Sequence, residues 1–120
     1  MTAVTIDPTT PIDIRAVFDT PLRITLSFMR RPPGETKFVP FFESTVAEDV
    51  PSQDVRCVLD PQRRGTLLLL TMVFFGRKKT AFKGSITISQ NGVQLGKALP
   101  ISGSTGEKFV KASQVEVDLT

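Results

Sequence analysis

Period-two alternation of apolar and polar residues, turn residues at regular intervals and the lack of an amphipathic helix of normal length predict an all-β fold. The favoured architecture is an antiparallel β-sandwich of Greek-key or jelly-roll type with about seven or eight strands, a small β-barrel being the alternative. The 120 residues suit one domain, 1–120, with residues 1–11 read as an N-terminal arm. Apolar residues at 40% and charged residues at 22% are globular rather than disordered proportions.

The elements follow in order. Ile12, Ile14, Ala16 and Phe18 alternate with Asp13, Arg15 and Val17, and then Leu22, Ile24, Leu26 and Phe28 alternate with Arg23, Thr25 and Ser27. These read as two adjacent strands joined by a turn at Asp19-Thr20-Pro21. Arg30-Arg31-Pro32-Pro33-Gly34 ends the pair, because proline cannot donate to a ladder and Pro-Gly suits the centre of a type II turn. Residues 38–42 read as an edge strand, and 43–50 as a loop or a single helical turn. Val55, Cys57 and Leu59 share the apolar face of a short strand closed by Asp60-Pro61.

Gly65 opens the next strand, Thr66 to Phe75, and residues 76–79 lead tightly into 80–90, where Phe82, Gly84, Ile86 and Ile88 share a face. Asn91-Gly92 supplies the positive φ angles of a type I′ hairpin into 93–95. Gly103-Ser104-Thr105-Gly106 reads as a flexible loop before a last strand bearing Val115, Val117 and Leu119.

The chain has no histidine and no tyrosine, which removes the commonest general base, Ser-His and Cys-His activation, and imidazole metal ligation. Its single cysteine, Cys57, can form no intramolecular disulfide and reads as a buried small hydrophobe. Glu116 and Asp118 share a strand face roughly 6.5 to 7 Å apart, within the range of catalytic carboxylates. Alternation with Val115 and Val117 marks that face as solvated instead. Glu48-Asp49 lacks the oxygen-ligand density of a calcium loop, and the 103–106 glycines lack the Lys-Ser or Lys-Thr of a phosphate loop. Without Trp or Tyr a sugar-stacking site is handicapped. The expectation is therefore a non-enzymatic protein with no cofactor and no metal.

Residues 1–11 hold no Lys, Arg or apolar h-region, and the longest apolar stretch, 67–75, is far short of a membrane-spanning helix. A cytoplasmic location, or assembly in the cytoplasm, is expected, with no membrane span.

Two features point to partners. Thr66 to Phe75 is apolar on both faces: Leu67, Leu69, Val73 and Phe75 point one way, and Leu68, Leu70, Met72 and Phe74 the other. A sandwich strand needs one apolar face, and covering a second is worth several kcal/mol at roughly 25 cal/mol per Å². Residues 38–42, another chain or contact with a membrane would cover it. The expected interface is Leu68, Leu70, Met72 and Phe74, buried by a second copy in a homo-oligomer or by another protein. The other feature is a basic set in turns, Arg30 and Arg31, Arg63 and Arg64, and Arg77, Lys78 and Lys79, the last two groups falling in a stretch that has no acid between Asp60 and Glu107. Gathered at one end of a sandwich, these would bind nucleic acid or another polyanion, the alternative function.

Overall fold

In a computed structural model, residues 2–50 and 53–120 are described. They form ten strands and no helix: β1 (Thr2–Val4), β2 (Ile12–Asp19), β3 (Arg23–Arg31), β4 (Val39–Val46), β5 (Gln53–Leu59), β6 (Thr66–Phe75), β7 (Ala81–Gln90), β8 (Val93–Gln94), β9 (Leu99–Ser104) and β10 (Val110–Leu119). Sheet A has the order β1-β10-β6-β3-β4. Sheet B has the order β5-β2-β7-β8, with β9 pairing the first part of β7. All pairs are antiparallel except β1 with β10. The two sheets pack face to face as a β-sandwich, not closed into a barrel.

The pleat decides what is buried. In β2, Ile12, Ile14, Ala16 and Phe18 are buried, and all but Val17 of the residues between them are exposed. They meet Ile24, Leu26 and Phe28 of β3 and Leu68, Leu70, Met72 and Phe74 of β6 from the opposite sheet. The Phe74 ring stacks on Phe82 at 3.8 Å and meets Phe18 edge-on at 5.6 Å, so aromatic contacts tie the two sheets at one end.

Three differences from the sequence reading have physical causes. First, β2 and β3 are not adjacent, since the chain changes sheets between them. The corner is fixed by buried Gln53, whose Oε1 accepts from Thr20 N–H at 3.1 Å and whose Nε2 donates to the Leu22 carbonyl at 3.2 Å. A side chain thus satisfies backbone groups that a hairpin would have paired.

Second, within the segment read as an N-terminal arm, residues 2–4 are a strand and the residues after them are clamped. The Thr120 N–H donates to the Val4 carbonyl and the Ile6 N–H to the Thr120 carbonyl, while Gln90 Nε2 donates to the carbonyls of Asp7 and Thr10. Third, strand continues through 43–46, where a loop or a single helical turn was expected, and through Gly103 and Ser104, expected to belong to a flexible loop. Gly103 faces Phe82 across the ladder, and a Cβ there would come within 2.7 Å of its ring, so this glycine makes room for an aromatic inside a strand rather than loosening a loop. Asn91 and Gly92 have φ of 51° and 75°, as the hairpin required.

Candidate functional site

The apolar character of both faces of β6 is real, but the face expected at an interface is the core. Leu68, Leu70, Met72 and Phe74 are each 0% exposed within the single chain, covered by sheet B and not by residues 38–42. Residues 39–46 form β4, which lies beside β3 in sheet A, and Phe41 and Phe42 only pack against Phe28 at the margin of the core. No partner chain can reach that face without opening the sandwich.

The outward face of β6 carries Leu67, Leu69, Thr71, Val73 and Phe75, all half-buried by their in-sheet neighbours. Register places Arg31, Met29, Ser27, Thr25 and Arg23 beside them on β3, and Asp118, Glu116, Gln114, Ala112 and Val110 beside them on β10. The result is an apolar stripe along the central strand of sheet A, roughly 30 Å long at the rise of an extended chain. Acid borders it on the β10 side and base on the β3 side near the Leu67 end. Glu116 and Asp118 belong to this bordering row and face Leu69 and Leu67. The run itself carried no signal of which parity points outward, since Thr71 lies on the outer face and Thr66, equally polar, is fully buried on the inner one.

The outer face of sheet B is different in kind. Asp13, Arg15, Asp54, Arg56, Ser85, Thr87 and Ser89 project from β2, β5 and β7, with Arg15 Nε and Nη2 donating to the two Asp54 carboxylate oxygens at 3.0 and 2.7 Å. Those hydrogen bonds hold the Asp54 carboxyl below the usual carboxylate range. A shallow depression of about 590 Å³ lies over this face, lined by Asp13, Arg15, Arg56 and Thr87 among others. Cys57, of inward parity on edge strand β5, is half-buried, and burial pushes its thiol up to about 11.

The basic turns do not form one cluster. Arg31 lies opposite Leu67, so Arg30, Arg31, Arg63 and Arg64 share the end where β6 begins. Arg77, Lys78 and Lys79 follow Phe75 at the other end, the length of the strand away. The second group is also largely neutralised: Arg77 Nη2 bonds Asp49 at 2.7 Å, Lys79 pairs with Glu107 at 3.1 Å, and the Lys78 ammonium sits 5.0 Å from the centroid of the Phe109 ring. In the first group Arg31 stacks over Phe38 at 5.1 Å, and Arg64 Nη2 donates to the Ile6 carbonyl at 3.3 Å.

At the Phe75 end the loops 76–80 and 105–109 are clasped together. Gly76 N–H donates to the Phe109 carbonyl, Thr105 N–H to the Thr80 carbonyl, and the buried Thr105 hydroxyl to the Arg77 carbonyl. Phe109 and Val110 stand out from this clasp, exposed. The sequence reading passed over them, although Lys108-Phe109-Val110-Lys111 sets an apolar pair between two lysines just past a turn.

Among the described residues, no group of three or more His, Cys, Asp or Glu side chains gathers to hold a metal ion, and no helix is long and apolar enough to cross a membrane. Compared with known proteins, the chain matches no family model, no curated protein and no solved structure at a significant level.

Proposed function

We propose that this protein is a non-catalytic interaction module that self-associates through the outer face of sheet A. The observation that carries the reading is the outward stripe of β6, where Leu67, Leu69, Val73 and Phe75 lie side by side with Met29 and Ala112 on the face of sheet A turned away from sheet B, with no other strand layered over it among the described residues. Contiguous apolar patches of this kind mark contact surfaces, and sheet-on-sheet stacking is the geometry that buries a flat one.

A second copy suits the border of the stripe. With a twofold axis parallel to β6, the β10 side of one copy meets the β3 side of the other, bringing Asp118 over Arg31, since both lie in register with Leu67. The polyanion alternative has less support once its basic turns are divided between two ends.

The test is molecular mass in solution across a concentration series, for the wild type and for Leu69→Lys. A charge at the centre of the stripe should weaken a dimer by a hundredfold or more, corresponding to roughly 3 kcal/mol of uncompensated burial. A wild type that remains monomeric at high protein concentration, in the absence of any partner, overturns self-association.

A further inference from the structure

The clasped loops at the Phe75 end hold an aromatic and an aliphatic side chain in water. Phe109 is 58% exposed and Val110 46%, although the backbone beneath them is tied down by the Gly76 bond to the Phe109 carbonyl and by the Thr105 bonds to residues 77 and 80. An apolar pair on a slack loop could fold back onto the sheet; this pair is fixed outward. Around it stand Lys78, Lys108 and Lys111, all exposed and none in an ion pair among the described residues. The neighbouring acids are taken, Glu48 by Arg23, Asp49 by Arg77 and Glu107 by Lys79. The tip therefore combines exposed apolar area with cationic charge that pairs with no acid among the described residues, the Lys78 ammonium lying 5.0 Å from the centroid of the Phe109 ring.

We propose that this tip docks on an anionic lipid bilayer, with Phe109 and Val110 entering the interfacial layer and Lys78, Lys108 and Lys111 lying against the headgroups. An aromatic ring and its aliphatic neighbour gain by leaving water at the acyl boundary, while lysine stems reach back so that their ammonium groups stay at headgroup level. Lysines next to an anionic surface are attracted additively, so three together bind appreciably where one does not. Nucleic acid fits less well. Val110 has no π face to stack on a base, and the unpaired cations are lysines rather than the arginine forks that grip phosphate in two places. Val110 adjoins Phe75 at the end of the β6 stripe, so Leu69→Lys, at the centre of the stripe, is the change that separates loss of self-association from loss of membrane binding.

The experiment is co-sedimentation of the intact chain with vesicles of phosphatidylcholine alone and of phosphatidylcholine with about one third phosphatidylserine, in 0.1 M salt. Binding is expected to the anionic vesicles only. Each lysine changed to Ser should weaken it roughly fivefold, and all three by about a hundredfold. Phe109→Ser should abolish it with every lysine present, and Leu69→Lys should leave it intact. Thermal unfolding of each variant is expected at the wild-type temperature, because these side chains are exposed. No sedimentation with anionic vesicles overturns the proposal. So does binding that Phe109→Ser leaves unchanged, or that free heparin or a DNA oligonucleotide reproduces with the same loss on lysine removal and no loss on removal of the ring.

Discussion

The two sheets are alike inside and opposite outside. Each inner face is a continuous apolar set, Ile, Leu, Phe, Val and Met72 on sheet A and Ile, Leu, Phe and Ala16 on sheet B, and each contributes about half of one core. The outer face of sheet B then carries what a solvated sheet carries, an Arg15–Asp54 pair, Arg56, Ser85, Thr87 and Ser89. The outer face of sheet A has the same pleat and the same half-burial along its central strand, yet its side chains there are Leu67, Leu69, Val73 and Phe75. Water solvates the first surface well and the second poorly. Nothing in the fold demands apolar residues on the outside of β6, and the self-association proposed above would account for the asymmetry.

Adjacent leucines on β6 give the sharpest way to break that comparison. Leu70→Lys puts a charge in the centre of the core, opposite no acid, and should cost about 4 kcal/mol or more, most of the stability of an ordinary domain. Leu69→Lys, one residue away and pointing out, should change folding stability by no more than about 1 kcal/mol, because the lysine stem can lie along the sheet with its ammonium group in water. Chemical denaturation of both variants reads the difference directly. Equal destabilisation by the two would mean that the outer face is as enclosed as the inner one.

Why the sequence left the two faces of β6 interchangeable is a matter of pattern. Alternation reports that both faces are apolar, but parity alone does not say which meets the opposite sheet, and each face carries one threonine, Thr66 inward and Thr71 outward. The strands themselves were legible wherever polar residues intervened, as in β2, or a turn dipeptide fixed φ, as at Asn91-Gly92. They were less so where long-range contacts decide. Thr20 and Gln53 look like ordinary polar residues in sequence and become the corner that moves the chain from one sheet to the other. Gly103 looks like loop punctuation and is a strand residue emptied for Phe82. The strand between them already sets Arg63 and Arg64 apart from Arg77, Lys78 and Lys79, but the end at which Arg30 and Arg31 fall needed the antiparallel register of β3 against β6, which no local signal supplies.

The inner arrangement can be sharpened at that corner. Gln53 is 2% exposed and serves the Thr20 N–H and the Leu22 carbonyl together. Gln53→Ala leaves both backbone groups in need of partners and should cost about 1–3 kcal/mol, less than a core charge and more than any surface change. Unfolding at the wild-type midpoint would show that water replaces the amide there and that the corner does not depend on it.

The smallest expected effect concerns how tightly sheet B closes at its edge. Cys57 lies on β5, the last strand of the sheet, with its side chain on the inward parity, and desolvation, assisted by the nearby Asp13 carboxylate, raises its thiol from an ordinary 9.0 to about 11. Folding therefore favours the protonated thiol. Its contribution to stability is fully present below pH 9 and is lost as the pH climbs through about 11. Because only the thiolate reacts, alkylation of the native protein near pH 8 should run about a hundredfold slower than that of the unfolded chain, from ionisation alone, and should accelerate toward a midpoint close to 11. Following iodoacetamide incorporation by mass across a pH series, in native buffer and in denaturant, measures both. A native midpoint near 9 would place Cys57 in water and would mean that the β5 edge stands open, leaving the core of sheet B less enclosed on that side than the core contacts of β6 imply.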